Sequence, residues 1–173
     1  MTSLNGFGAL SMPELVAPKI RAARLIDLDR LVSLWRVLAA HHASLDPQLY
    51  AMEVHAPATY RAWLRRKLDD PEAMVLVAEL DQGLIGFLLA RTGQRAPVYS
   101  VREIGMIYDL VVDPSSRRCG AGRALFEAAK QRFSERGLSY LQVSFSPLNP
   151  DARGFWTAQG FDPLLTEAYL PID

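Results

Sequence analysis

A chain of 173 residues, half of them hydrophobic and 22% charged, suits one folded domain with a sizeable core and is too apolar for a mostly disordered protein. Its 19 Lys and Arg balance its 19 Asp and Glu, which excludes a global positive field for nucleic acid or an anionic membrane; any anion site has to be built locally. The single cysteine, Cys119, excludes an intrachain disulfide framework and supplies no zinc-ligand spacing, so no metal is expected and a reducing, cytoplasmic setting is.

The opening residues 1–17 have no basic region leading into a long apolar run, so they read as a flexible tail before a single domain over 18–173. No apolar stretch approaches the ~18 residues of a membrane span. Lys19–Arg24 reads as a short strand, after which Asp27 is placed to cap a helix. In that helix Leu28, Leu31, Val32, Trp35, Leu38 and Ala39 form one apolar face, and Tyr60, Trp63, Leu64 and Leu68 do the same in a second helix over Thr59–Leu68. Ala73–Leu80 and Leu84–Ala90 flank the turn signal Asp81-Gln82-Gly83 and predict a hairpin. A long strand over Val101–Val112 ends at Asp113-Pro114, where proline removes a ladder donor. Leu125, Ala129 and Phe133 mark an amphipathic helix that Gly137 ends. A strand over Leu138–Phe145 follows, then a short helix capped by Asp151 and running to about Gln159, then a last strand within Phe161–Leu170. This order predicts an α/β layer structure with a mixed sheet, because a hairpin pairs antiparallel while a strand-helix-strand unit favours a parallel pair.

The stretch from Asp109 to Leu125 places an apolar strand, a turn, three arginines and two glycines immediately before a helix. A helix N-terminus presents unpaired amides and partial positive charge. Gly120 and Gly122 allow close approach to those amides, and Arg117, Arg118 and Arg123 add donors suited to phosphate. A solvated glycine turn with surface arginines is the plainer reading of the same residues. A nucleotide P-loop fits poorly because no Lys-Ser or Lys-Thr follows the second glycine, and a dinucleotide fingerprint lacks its third glycine.

Arg117-x-x-Gly120-x-Gly122 resembles the acetyl-CoA-binding motif of the GNAT (GCN5-related) N-acetyltransferase superfamily. A second segment, with Asn149, the pair Phe155-Trp156 and Gly160-Phe161, is similar to the motif that follows it in that family. The resemblance extends over Lys19 to the C-terminus. It implies a mostly antiparallel central sheet flanked by helices, with a splayed central strand pair, and transfer of an acetyl group from acetyl-CoA to a primary amine by direct attack. Cofactor contacts are then expected from Leu110, Val111 and Val112 through their main chain, and from Arg117, Arg118, Cys119, Gly120, Ala121, Gly122, Arg123, Asn149 and Trp156.

A primary amine has a pKa near ~10, so a base has to take its proton; Asp109 and Glu103 are the acidic candidates on this strand. The leaving thiolate wants an acid. Family members often carry a tyrosine where this chain has Trp156, whose indole hydrogen-bonds but is no practical proton source, so Tyr108 or water takes that role. Cys119 is read as a small residue presenting its amide. His42, Asp46 and Tyr50, with His41 nearby, fall where the family builds its acceptor pocket. The acceptor itself is unidentified, nucleic acid and membrane are not expected as partners, and pairing of two copies is implied by the family. The alternative is a CoA-binding sensor or interaction module that has lost catalysis.

Overall fold

The computed structural model describes residues 17–172, so the expected tail, apart from Ala17, lies outside the described residues. Apolar and β-branched runs become the strands β1 (Lys19–Ala22), β2 (Ala73–Leu80), β3 (Gly83–Gln94), β4 (Glu103–Val112) and β5 (Leu141–Val143). They lie side by side in chain order, antiparallel except for the parallel pair β4 and β5. The expected hairpin is β2–β3, and Gly83 supplies its left-handed turn residue at φ 107°. A parallel pair needs a crossover, which α3 (Ala121–Glu135) provides.

The near-continuous apolar run of β2 reflects burial on both faces. Val75 and Val77 meet α1 (Leu28–Leu45) and α2 (Ala56–Leu68), where Leu28, Leu31, Leu34 and Leu64 complete one core layer. Leu76 and Ala78 face the other way, toward Leu125, Phe126, Ala129 and Phe133 of α3 and Trp156 of α4 (Pro150–Ala158). Among the described residues no helix is long and apolar enough to cross a membrane.

Several boundaries differ from expectation. β3 continues to Gln94 because β4 pairs with it through Glu103, whereas β5 is pared to three residues. No strand forms over Phe161–Leu170; Leu164, Leu165, Tyr169 and Leu170 stand exposed, since apolar composition gives a strand only where a neighbouring edge pairs with it. The cap of α4 is Asn149, whose side-chain oxygen accepts the Ala152 amide at 3.0 Å, and Asp151 falls in the first turn instead.

Asp27 does precede α1, but its carboxylate caps no helical amide. It accepts two guanidinium donors from Arg21 at 2.7 and 3.0 Å and the Arg24 amide at 2.7 Å, tying β1 to the start of α1. Those hydrogen bonds hold its pKa below the ordinary carboxylate value, Arg21 contributing most. Asp27→Ala leaves the Arg21 guanidinium with Glu79 as its one remaining carboxylate and is expected to cost about 2 kcal/mol in urea denaturation. Because the folded pKa is depressed, this stabilisation is full above the unfolded value of ~3.9 and fades as pH falls through the folded one. A wild-type midpoint equal to the variant's at neutral pH would refute the assignment.

Candidate active site

The parallel ladder between β4 and β5 covers only Gly105–Ile107 against Leu141–Val143. Past that point β4 continues to Val112 with a partner on its β3 side alone, so the two strands part. The Asp113 amide donates to the Ile85 carbonyl at 2.7 Å, which fixes the alternation along this stretch. Val111 and Asp109 form hydrogen-bonded pairs with β3, and the N–H and C=O groups of Leu110 and Val112 face the gap. Of the three residues expected to offer main-chain contacts, Leu110 and Val112 therefore have theirs open to the gap. Val111 is turned to β3 and buried.

The same strand carries a β-bulge. Leu89 pairs with Asp109 and Ala90 with Ile107, leaving Tyr108 as the extra residue. Neighbours on a regular strand point to opposite faces. The bulge breaks that rule, so Tyr108 and Asp109 both line one cleft on the α1–α2 side of the sheet. This cleft has a volume of about 630 Å³ and is walled by Trp35, Tyr60 and Trp63, with Met52, Glu53 and Arg66 nearer its rim. Trp35 and Tyr60 stack at 4.2 Å, and Tyr60 tilts against Trp63 at 5.4 Å.

Asp109 sits where the cleft meets the strand and accepts a hydrogen bond from the Tyr60 hydroxyl at 2.8 Å. Withdrawal from water raises the Asp109 pKa above the usual carboxylate range, and the Tyr60 hydrogen bond opposes that only in part. Burial and the neighbouring carboxylate push the Tyr60 phenol upward, so it stays a protonated donor. Tyr108 is 48% exposed, its hydroxyl free to meet a ligand except for a 3.8 Å contact with the Met106 sulfur.

Glu103 is not brought to this cleft. It stands at the opposite end of β4, roughly 20 Å of strand away, where it is exposed and accepts from the Gln94 side chain at 2.6 Å. His42, Asp46 and Tyr50 do not line the cleft either. His42 and Tyr50 pack ring to ring at 5.2 Å, and burial lowers the His42 pKa. The Asp46 carboxylate accepts the Gln48 and Leu49 amides at 3.0 and 2.9 Å, closing the turn after α1. The rings that wall the cleft are instead Trp35, Tyr60 and Trp63, which sequence periodicity assigned to the core. One signal was available: a buried tyrosine needs a partner for its hydroxyl, and a lone acidic residue in an apolar strand needs a donor.

The other wall of the site is the turn into α3. Asp113 holds its entrance, accepting from Arg30 at 2.7 Å and from the Ser115 amide and hydroxyl at 3.0 and 2.6 Å. These donors, the Ser115 hydroxyl foremost, bring the Asp113 pKa down to about 2. Arg118 and Gly120 take left-handed φ values of 64° and 84°. The first bond of α3 runs from the Ala124 amide to the Gly120 carbonyl, so the amides of Ala121, Gly122 and Arg123 have no acceptor in the helix. A Cβ on Gly120 would meet nothing within 4 Å, whereas one on Gly122 would touch Phe155 at 3.4 Å. Gly120 thus opens the approach to the free amides, and Gly122 lets α3 pack against α4.

Among the described residues the guanidinium groups of Arg117, Arg118 and Arg123 have no hydrogen-bond or ion-pair partner. Free amides, an open glycine and unpaired guanidinium groups fit a pyrophosphate. Cys119 packs against the core, its thiol donating to the Ser116 carbonyl at 3.0 Å. Asn149 spends its carbonyl on the α4 cap. Trp156 is 5% exposed and packs edge-on against Phe126, Phe155 and Phe161, so its ring is occupied by the core.

Comparison with known proteins agrees with this geometry. The chain is 31% identical over 104 residues to the uncharacterized N-acetyltransferase YhfO of Bacillus subtilis, covering 58% of this chain and 66% of that protein. It is 28% identical over 141 residues to an uncharacterized N-acetyltransferase of Archaeoglobus fulgidus, covering 82% and 90%. Among solved structures, a predicted acetyltransferase from Clostridium acetobutylicum, crystallised with acetyl-CoA, superposes with a TM-score of 0.70 over 90% of this chain and 96% of that one at 18% identity. The profile of the acetyltransferase (GNAT) family matches residues 38–161, which include α2, the bulged strand and the arginine–glycine turn; the chain belongs to the GNAT family of acetyltransferases.

Proposed function

We propose that this protein transfers an acetyl group from acetyl-CoA to a primary amine by direct attack, with Asp109 as the base. The observation that carries the reading is the bulge at Tyr108, which sets Asp109 and Tyr108 side by side where β4 leaves β5. When bound, acetyl-CoA supplies a thioester whose acyl carbon takes the amine nitrogen as the carbon–sulfur bond breaks.

The residues divide the remaining work. Arg117, Arg118, Arg123 and the amides at the start of α3 hold the pyrophosphate. The outward main-chain groups of Leu110 and Val112 hold the arm that follows and steady charge on the acyl oxygen. Asp109 accepts the proton that the amine sheds, and its raised pKa brings it closer to working pH than an ordinary carboxylate. Tyr60 orients that carboxylate. Tyr108, exposed beside Asp109, protonates the departing sulfur, and its exposure against the burial of Trp156 supports that division. A protein with one cysteine and CoA as co-substrate is assigned to the cytoplasm.

Thiol release from acetyl-CoA across a panel of primary amines tests the proposal, with N-acetylated product identified by mass spectrometry. Amine-dependent release is expected. CoA binding without product from any amine would point to a sensor.

A further inference from the structure

Building on that reading, we infer that the acceptor is a monoamine carried on a flat aromatic body, and that polyamines and multiply charged aminosugars are poor acceptors. The cleft that leads to Asp109 is walled by aromatic rings on adjoining elements: Trp35 from α1, Tyr60 and Trp63 from α2, and Tyr108 from the bulge. The stack of Trp35 on Tyr60, 4.2 Å apart and within 10° of parallel, makes a flat wall, and Trp63 meets it at an angle of 42° to the Tyr60 ring. Rings at such angles accept a third ring face-on or edge-on. Ala51, Met52 and Ala56 add apolar surface at the rim.

The charges in the cleft argue the same way. A polycation needs a carboxylate for each ammonium it desolvates. Here Asp109 is committed to Tyr60 and to the one reacting amine, which leaves Glu53 as the only other carboxylate on the lining. Arg66 also lines the cleft and, among the described residues, forms no ion pair, so it repels a second ammonium. One amine near Asp109 and one ring against the wall formed by Trp35, Tyr60 and Trp63 use the groups around the carboxylate, and leave Glu53 and Arg66 no share in holding the acceptor.

Steady-state kinetics at saturating acetyl-CoA test this with phenethylamine and tryptamine against spermidine and kanamycin. The arylalkyl amines are expected to exceed both polycations in kcat/KM by at least about tenfold. Trp63→Ala is expected to remove most of that preference by raising KM for the arylalkyl amines, while Trp63→Phe retains it and CoA affinity, read separately by calorimetry, stays unchanged. Equal or better turnover of spermidine or kanamycin would overturn the inference and leave acetyl transfer standing. An aryl preference that survives Trp63→Ala and Trp35→Ala would overturn it as well. Turnover of no amine would overturn the proposed function, and this inference with it.

Discussion

Asp109→Asn is expected to lower kcat by about two to four orders of magnitude while leaving the affinity for CoA unchanged. The variant keeps a side-chain oxygen to accept the Tyr60 hydroxyl, so the wall of the cleft survives and only the proton acceptor is lost. Stability separates this from a folding defect. With a folded pKa above the unfolded one, Asp109 makes the folded state bind the extra proton, so its contribution falls as pH rises between the two values. At neutral pH the carboxylate is a net cost, and Asn, which carries no charge, should match or exceed wild-type stability. The acidic limb of the pH–rate profile should show the same group: in wild type activity rises with pH through the elevated Asp109 pKa, and in Asp109→Asn that limb is gone. An unaltered profile would remove Asp109 from the role of base.

Gly120→Glu should abolish CoA binding by calorimetry, a loss of at least about a hundredfold. Two effects add. At φ 84° a residue with a Cβ is strained by about 1–2 kcal/mol. The new side chain also meets no protein atom within 4 Å of its Cβ, so it sets a carboxylate in the open space at the start of α3, where the pyrophosphate is proposed to bind. Gly120→Ala carries the strain without the charge, and should bind CoA more tightly than Gly120→Glu. Equal affinities for the two would show that the charge has no anion to oppose.

The arginine–glycine turn was legible in the sequence because its chemistry is local: a glycine with positive φ, free amides and cations all lie within seven consecutive residues. The hairpin and the crossover helix were legible for the same reason, through turn residues and periodicity. What stayed hidden depends on register and on distant segments meeting. Nothing in the run Glu103–Val112 marks Tyr108 as the bulged residue, since a bulge is defined only by what stands opposite. That one extra residue decides which side chains share the cleft, joining Tyr108 to Asp109 and leaving Glu103 far down the strand. The rings of the cleft stayed hidden through a related ambiguity. Trp35, Tyr60 and Trp63 lie on apolar helix faces, and apolar periodicity does not distinguish a face buried by neighbours from one that borders a cleft. Leu164 to Leu170 show the converse, apolar residues that find no strand partner in the fold.

The proposed transfer requires the arginine–glycine turn and the bulged strand to belong to a single site. A crystal structure of the protein with CoA tests this most directly. The expected result is the pyrophosphate on the amides of Ala121, Gly122 and Arg123, the arm along Leu110 and Val112 in the gap beside β5, and the sulfur next to Tyr108 and Asp109. CoA bound with its thiol end away from Tyr108 and Asp109, or bound elsewhere on the fold, would contradict it.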